Sequence, residues 1–335
     1  MKYQELVKTE IAISLVKKTF AAALAEQLQL VEVSAPLVVL AGTGINDDLN
    51  GIERPVAFPI KALEEKNAVV VHSLAKWKRQ RLKDWKVEVG AGILTDMRAL
   101  RPDEDYSALH SIYVDQWDWE KHIAATDRNL AYLKQTVETI YQVLRKTEQV
   151  VCEFDVSLPP ILPESIFFIH AEELLQFYPD MTPKDREHAI TKQHGAVFII
   201  GIGGKLSDGL RHDGRAADYD DWTTQNEDGY QGLNGDLLLW NPVLACAFEI
   251  SSMGIRVDQA AMLAQLKEHD CLERSELAFH RALLAGELPQ SIGGGIGQSR
   301  VCMFLLRKSH IGEVQVGIWP ENVRKELLLE GVTLL

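Results

Sequence analysis

The order of apolar and turn-forming residues after Pro163 is the feature that most restricts the fold of this 335-residue chain. From that point the apolar residues form short runs separated by turns rich in Gly and Asp, which is typical of strands joined by hairpins. No βαβαβ alternation is present, so a doubly wound parallel sheet is disfavoured. We therefore predict an α/β (α+β) protein with a mainly antiparallel central sheet flanked by helices. The predicted strands cover 166–169, 196–202, 236–240, 247–250 and 314–319.

Two long helices are predicted from apolar residues spaced three and four apart, one over 9–30 and one over roughly 125–153. A short strand over 30–36 follows the first helix and ends at Pro36, because proline cannot donate to a sheet ladder. A helix, a strand and a proline in this order recur at dimer interfaces, although plain core packing explains them equally well. The polar segment 203–235 is long enough to predict a functional loop.

Composition limits the classes of partner. The net charge of −13 disfavours nucleic-acid binding, which usually relies on a basic face. The four cysteines are widely spaced and none forms a C-x-x-C pair, so free thiols in a reducing compartment are expected. No signal peptide is evident and no apolar run approaches eighteen residues. We expect a cytoplasmic protein with no nucleic-acid and no membrane partner.

A glycine-rich string at 293–300 precedes an apolar stretch that is predicted to be helical. Glycine lets a backbone approach a ligand closely, and Arg300, just inside the helix, can stack on an adenine ring or hold a triphosphate. The string is not a Rossmann fingerprint, because Gln298 stands where glycine is needed, and it is not a Walker A loop. A tight turn with a surface arginine is the alternative.

A second group of polar residues lies around a predicted hairpin. Arg101 can bind an α-phosphate, and Glu104 can accept an adenine amino group. Beyond His110, the predicted strand alternates three polar side chains on one face with two tryptophans on the other, which fits the floor of a site above a core. An amphipathic edge strand is the alternative. The polar residues are Gln116, Asp118 and Glu120, and the tryptophans are Trp117 and Trp119.

A third group combines two acids with an arginine. Asp236 and Glu249 lie in apolar, strand-like runs, and Glu249 is the stronger candidate for a Mg²⁺ ligand because an acid inside an apolar run rarely lacks a partner. Arg256 follows seven residues after Glu249 and can fork onto a substrate carboxylate.

These groups resemble motifs 2 and 3 of the class II aminoacyl-tRNA synthetases, and the helix–strand–Pro36 segment resembles motif 1. The chain is most similar to the ammonia-dependent asparagine synthetase (aspartate–ammonia ligase) family, over essentially its whole length. The resemblance implies a class II catalytic core in a single domain over 1–335, no anticodon-binding domain, and a homodimer. The matching strings lie at 72–79, 101–105, 114–120, 201–209, 218–222 and 293–300.

The family reaction joins aspartate and ammonia with cleavage of ATP to AMP and pyrophosphate, through a β-aspartyl-adenylate. The resemblance implies that Arg101 and Gln116 contact the reacting acyl-phosphate region. It also implies that Mg²⁺ is held by Glu249 and Asp236. For ATP it implies contacts from Arg101, Glu104, His110, Glu249, Gly293, Gly295, Gly297 and Arg300.

For aspartate, the resemblance implies that the two carboxylates are held by one set of side chains and the ammonium by another. Asp47 lies in a segment similar to the family's ammonia-handling loop, where a carboxylate can bind ammonium and take its proton. The carboxylate set is Ser73, Lys78, Arg215, Ser252 and Arg256, and the ammonium set is Asp118 and Asp220.

The loop around Asp47 departs from the family pattern, which commonly has threonine and glutamine at the places of Ile45 and Asn46, whereas Leu49 and Gly51 still match. Three other functions remain open. An aspartyl- or asparaginyl-tRNA synthetase is disfavoured by the missing anticodon domain and the acidic charge. A non-catalytic amino-acid-binding paralogue is disfavoured because the phosphate-binding arginines and the metal acid are present. A glutamine-dependent amidotransferase is disfavoured because such enzymes use a cysteine directly after Met1 as the nucleophile, whereas residue 2 of this chain is lysine.

Overall fold

Two β-sheets organise the chain, whose computed structural model describes residues 3–47 and 53–335. The larger sheet has eight strands in the order β1-β5-β6-β11-β10-β9-β8-β7, and the smaller has three in the order β2-β4-β3. The strands are β1 (Leu30–Val33), β2 (Val38–Leu40), β3 (Ala57–Ile60), β4 (Lys66–Val70), β5 (Gly92–Leu100), β6 (Tyr113–His122), β7 (Phe167–His170), β8 (Ala196–Ile200), β9 (Asn234–Asn241), β10 (Cys246–Ile255) and β11 (Ser291–Gly297).

The described segments also contain nine α-helices. Short 3₁₀ turns lie between them at Lys61–Leu63, Ala125–Asp127, Leu272–Glu276 and Ile311–Glu313. The helices are α1 (Tyr3–Leu28), α2 (Ala75–Asp84), α3 (Leu130–Phe154), α4 (Ala171–Phe177), α5 (Pro183–His194), α6 (Gln259–Glu268), α7 (Ala278–Leu284), α8 (Gln298–Leu305) and α9 (Glu321–Leu329). None of the helices in the described part of the chain is both long and apolar enough to cross a membrane.

The large sheet is mixed, which corrects the expectation of a mainly antiparallel sheet. Its five central pairings are antiparallel, but β1 runs parallel to β5 at one edge and β7 runs parallel to β8 at the other. Parallel neighbours require a long crossover. Helices α4 and α5 supply it between β7 and β8, and the small sheet with α2 supplies it between β1 and β5. The apolar runs alone do not reveal these crossovers.

The two predicted long helices are present and pack against each other over the large sheet. Helix α1 buries the face carrying Val16, Phe20 and Leu24, and Phe20 stacks on Trp117 of β6 with ring centroids 4.4 Å apart. Helix α3 begins after Asn129, whose side chain accepts a hydrogen bond from the Tyr132 amide at 2.8 Å and so caps the helix. The tryptophan face of β6 therefore forms core, as its alternation predicts.

The predicted strand over 314–319 is wrong, because this segment is irregular. Its apolar residues do not share one face: Trp319 is buried, whereas Val316 and Ile318 are exposed. Gln315 is buried and bonds the Ser111 hydroxyl at 2.7 Å and the Tyr113 carbonyl at 3.2 Å. Side-chain hydrogen bonds thus hold residues 314–319 in place, whereas a strand would be held by backbone hydrogen bonds to its neighbour.

The segment between β8 and β9 has no helix and no strand, as its polarity predicts. It is nevertheless fixed by buried groups. Gln265 of α6 accepts from the Trp222 amide at 2.9 Å and donates to the carbonyls of Ala217 and Asp220, both at 3.0 Å. These bonds hold the part of the loop that carries Arg215 and Asp220 against α6.

Candidate active site

Two adjoining cavities lie over the central strands of the large sheet. The first, of about 450 Å³, is called the acidic cavity, and the second, of about 540 Å³ and next to the start of α8, is called the α8 cavity. Their shared wall makes them two parts of one cleft. The residues that line both are Arg101, Glu104, Gln116, Asp213, Glu249, Ser252 and Gly295.

The floor of the cleft is a row of four residues on four neighbouring strands. Asp118 of β6 pairs with Gly295 of β11, Gly295 pairs with Ser252 of β10, and Ser252 pairs with Asp236 of β9. A Cβ on Gly295 would lie only 2.5 Å from Oε1 of Gln116 and 2.9 Å from an oxygen of Asp118. Glycine is required there because the polar side chains of β6 occupy the space above it.

A β-bulge in β10 brings Glu249 and Ser252 to the same cleft. The register with β9 shifts between Glu249 and Ser251, which leaves one additional residue, Ile250, on the bulged strand. In a regular strand, residues three apart point to opposite faces. The bulge reverses that alternation, so the Ser252 hydroxyl donates to Oε1 of Glu249 at 3.0 Å.

The acidic cavity is named for its lining, in which carboxylates outnumber cations among the described residues. Every one of the four cations comes from a residue predicted from the sequence to bind substrate. The acids are Asp47, Glu53, Asp103, Glu104, Asp105, Asp118, Asp213, Asp220, Asp236 and Glu249, and the cations are Lys78, Arg101, Arg215 and Arg256.

Arg256 is buried and forks onto a carboxylate of the protein. Its Nε lies 3.0 Å and its Nη2 2.7 Å from the two oxygens of Glu120, and its Nη1 donates to Asp220. Burial by itself raises the pKa of Glu120, but the charge and hydrogen bonds of Arg256 outweigh it and lower that pKa. Gly293, which is predicted to contact ATP, lines neither cavity, and its lack of a side chain leaves room for this ion pair.

Lys78 and Asp118 neutralise each other. Lys78 Nζ donates to Asp118 at 2.9 Å and to the carbonyls of Trp119 and Gly294 at 3.0 and 3.1 Å, which uses all three of its donors. Burial lowers the pKa of Lys78 despite the charge of Asp118. The second oxygen of Asp118 accepts from the Leu74 amide at 3.0 Å. Lys78 and Asp118, each predicted from the sequence to contact aspartate, thus pair with each other and both line the acidic cavity.

Arg215, Asp236 and Glu249 form a second charged group in the acidic cavity. Arg215 bonds Asp236 through Nη2, and its Nε lies 3.5 Å from Asp220. Burial and the nearby Glu249 carboxylate raise the pKa of Asp236 to about 6, against the effect of Arg215. Two mutually repelling carboxylates fit a divalent cation that completes its shell with phosphate oxygens. The described residues contain no cluster of three or more potential metal ligands.

Arg300 enters the α8 cavity from the first turn of α8, as the sequence predicts. Its Nη1 donates to the Glu249 carbonyl at 2.9 Å, and its Nη2 donates to Nε2 of His110 at 2.9 Å. Burial first, and then the charge of Arg300, lower the pKa of His110 to about 4. The imidazole is therefore neutral, and its Nδ1 bonds the Ser107 hydroxyl at 2.8 Å. Gly297 caps α8 and lines this cavity.

Asp47 and Arg101 are both hydrogen-bonded to the dipeptide formed by His72 and Ser73. The Ser73 hydroxyl donates to Asp47 at 3.0 Å, His72 Nδ1 bonds the Asp47 carbonyl at 3.0 Å, and Arg101 donates to the His72 carbonyl at 3.2 Å. Asn46 accepts from the His72 amide at 2.9 Å. The positions of Leu49 and Gly51 lie outside the described residues.

Sequence reasoning left several cleft residues without a role. Tyr219 lies beneath Arg256, whose guanidinium carbon is 5.8 Å from the ring centroid. Glu120 was placed on the polar face of β6, but its partner was not predicted. Lys184 and Asp213 line the α8 cavity, and nothing in the local sequence marks either one.

The fold is that of the class II aminoacyl-tRNA synthetase cores. The chain is similar to the asparaginyl-tRNA synthetase of Pyrococcus horikoshii complexed with asparaginyl-adenylate, with a TM-score of 0.67 at 17% identity, over 93% of this chain and 70% of that one. The asparaginyl-tRNA synthetase of Entamoeba histolytica gives a TM-score of 0.66 at 13% identity, over 93% and 67% of the two chains.

The sequence comparisons are more specific. The family described as aspartate-ammonia ligase matches residues 7–330. Curated aspartate–ammonia ligases from Bacteroides fragilis and Parabacteroides distasonis are each 57% identical, over 99% and 98% of this chain and 96% of either relative. The Clostridium perfringens relative is 56% identical over 95% of this chain and 92% of its own length. The chain belongs to the aspartate–ammonia ligase family, whose members are ligases that form C–N bonds.

Proposed function

We propose that this protein joins L-aspartate to ammonia, with cleavage of ATP to AMP and pyrophosphate, through a β-aspartyl-adenylate. The observation that carries the proposal is the shared wall between the acidic cavity and the α8 cavity, which includes Arg101 and Gln116. An amino acid in one cavity and a nucleotide in the other would meet at these residues. The family to which the chain belongs supports the same reaction.

In the first step, a β-carboxylate oxygen of aspartate attacks the α-phosphorus, and the bond electrons leave with pyrophosphate. Negative charge develops on the α-phosphate oxygens, and Arg101 is the cation that lies between the two cavities. In the second step, the nitrogen of ammonia attacks the activated carbonyl and AMP departs. Gln116 lines the same wall and is placed to contact the acyl-phosphate.

Aspartate occupies the acidic cavity in this proposal. Ser252, at its floor, and Arg215, which bonds Asp236 of the floor, bind a carboxylate, and Asp220 binds the ammonium. Lys78, Asp118 and Arg256 act mainly through their buried ion pairs, which fix the shape and charge of the cavity. Asp47, held by Ser73, binds ammonium and takes its proton before ammonia attacks.

ATP occupies the α8 cavity, where Arg300, supported by His110, meets the phosphates. Glu104, Gly295 and Gly297 complete its lining. Glu249 and Asp236 would hold Mg²⁺, which stabilises negative charge on the triphosphate when it is bound.

The decisive experiment is oxygen transfer from [β-carboxyl-¹⁸O]aspartate. Attack by the β-carboxylate on the α-phosphorus places one labelled oxygen in AMP, and mass spectrometry of AMP measures it. Asparagine formation without label in AMP would contradict the adenylate. Label in AMP from aspartate labelled only in the α-carboxyl would contradict the choice of carboxylate.

An aspartyl- or asparaginyl-tRNA synthetase remains the alternative function, because the similar solved structures are asparaginyl-tRNA synthetases. Incubation with aspartate or asparagine, ATP and tRNA, without ammonia, tests it. We expect no charged tRNA, since the acidic chain offers little to attract a polyanion.

We further propose that the whole chain is one catalytic domain that works in the cytoplasm as a homodimer. Strand β1 forms one edge of the large sheet, and Val31 on it is exposed. Light scattering should give twice the chain mass for the wild type and a lower mass for Val31→Lys. A monomeric wild type would contradict the dimer.

A further inference from the structure

Three cations line the α8 cavity among the described residues, and only two of them were predicted from the sequence. Arg101 and Arg300 come from the hairpin and from α8, whereas Lys184 comes from the first turn of α5, just after the Thr182 cap and Pro183. Arg101 also lines the acidic cavity, but Lys184 and Arg300 line the α8 cavity alone. Lys184 and Arg300 therefore lie on the side of the cleft away from the amino acid.

Lys184 is held by two carboxylates that line the same cavity. Its Nζ lies 3.1 Å from both oxygens of Glu187 and 3.0 Å from Oδ2 of Asp213. Burial opposes the charge of Lys184, but these two partners outweigh it and raise its pKa. The ammonium is thus charged and positioned, while much of its side chain stays accessible.

Both partners have a second hydrogen bond that would remain if Lys184 turned to a ligand. Glu187 also accepts from Nε2 of the buried His212 at 3.2 Å, and Asp213 accepts from the Gly214 amide at 2.7 Å. If Lys184 exchanged these partly exposed ion pairs for a bond to a phosphate oxygen, each carboxylate would therefore keep one hydrogen-bond partner. A phosphate oxygen is likewise a charge-assisted acceptor.

The charge balance of the cavity requires such a cation. Glu104, Asp115, Glu187, Asp213 and Glu249 also line it, so a polyphosphate would meet more carboxylates than cations. Lys184 pairs with two of these acids, Glu187 and Asp213.

We propose that Lys184 binds the pyrophosphate portion of ATP together with Arg300. The proposal rests on the proposed function, because it assigns the α8 cavity to ATP. When the bond between the α-phosphorus and its bridging oxygen breaks, the electron pair stays on pyrophosphate, whose negative charge increases. Lys184 and Arg300 stabilise that charge, while Arg101, which lines both cavities, stabilises the charge on the α-phosphate.

The test compares Lys184→Gln and Lys184→Arg with Lys192→Gln, a matched control on the same helix that stacks over Trp240 and lines neither cavity. Calorimetry with Mg-ATP and inhibition by inorganic pyrophosphate are the readouts. We expect Lys184→Gln to weaken both by about tenfold, because one charge-assisted contact is lost, with the KM for aspartate nearly unchanged. Lys184→Arg should restore part of the loss, and Lys192→Gln should match the wild type.

Asp213→Asn separates phosphate binding from a structural ion pair. If Lys184 binds phosphate, this variant should bind pyrophosphate at least as tightly as the wild type, since a competing carboxylate is removed. The proposal is overturned if Asp213→Asn reproduces the loss seen in Lys184→Gln, or if Lys184→Gln binds Mg-ATP and pyrophosphate normally. A wild type that binds Mg-ATP but makes no asparagine would instead contradict the proposed function. The binding measurements on the Lys184 and Asp213 variants would still test whether Lys184 binds phosphate.

Discussion

The two cavities treat their cations differently. In the acidic cavity, Lys78, Arg215 and Arg256 each bond a buried carboxylate of the protein. In the α8 cavity, Arg300 instead donates to a neutral imidazole and a backbone carbonyl, and its nearest carboxylate oxygen, on Glu249, is 3.9 Å away.

This difference corresponds to the charge of the proposed ligands. A set of preformed ion pairs suits a small amino acid that carries both signs of charge. Cations bonded to neutral groups keep their charge available for a triphosphate, which is strongly anionic. Lys184 differs from Arg300 because it is paired with carboxylates, but those pairs are partly exposed and can be exchanged.

The largest effect is expected where an ion pair of the acidic cavity is broken. Glu120→Gln would remove one of the two buried carboxylates that pair with Arg256 and would leave Asp220 as the other, and breaking a buried ion pair costs up to about 3–5 kcal/mol of the free energy of unfolding. Urea denaturation measures it. Glu321→Gln, in an exposed pair with Lys325, should change stability by less than about 0.5 kcal/mol. Equal effects of the two variants would mean that the Glu120 pair is not a structural element.

In the α8 cavity, removing a cation should impair catalysis more than stability. Arg300→Gln should lower kcat/KM for ATP by about 100-fold, because a preorganised charge on the phosphates is lost, with little change in the free energy of unfolding. Steady-state kinetics and urea denaturation of the same preparation separate the two. Arg324→Gln, on the exposed face of α9, is the control. A loss of stability as large as that of Glu120→Gln would remove the contrast between the cavities.

A smaller effect is expected at the shared floor. Gly295→Ala places a methyl group 2.5 Å from Gln116 and should displace the side chains of β6, which lowers kcat/KM for aspartate by about tenfold. The matched control is Gly317→Ala, whose added methyl group would have no neighbour closer than 3.7 Å. Full activity of Gly295→Ala would show that the side chains of the floor can move aside without a loss of activity.

Local pattern predicted much of this site. The alternation along β6 placed Gln116 in the cleft and the two tryptophans in the core, and the glycine string located Arg300 in the first turn of a helix. These features depend only on residues that are close together in the chain, so they can be predicted from the sequence.

Features that depend on distant partners could not be predicted. Glu120 and Arg256 are 136 residues apart, and their pairing arises only when β11 brings β6 and β10 to either side of it. The bulge at Ile250 changes which residues of β10 share a face, yet no glycine or proline marks it. The parallel edge strands likewise depend on how the crossovers pack.

The smallest effect concerns His110, whose pKa of about 4 should keep Arg300 bonded to a neutral acceptor. An unfolded histidine has a pKa near 6.5, so between about pH 6.5 and 4 the unfolded state binds more protons than the folded state. The stabilising contribution of His110 is therefore complete above pH 6.5 and is lost as the pH falls toward 4, by about 1 kcal/mol at pH 5 after allowance for solvent screening.

Two measurements check this prediction. NMR titration of the imidazole should show a midpoint near 4, and the free energy of unfolding of His110→Gln should depend less on pH between 6.5 and 5 than that of the wild type. A midpoint near 6.5 would mean that the imidazole becomes positively charged beside Arg300 under mildly acidic conditions. The α8 cavity would then hold two adjacent cations, and its contrast with the internally paired acidic cavity would depend on pH.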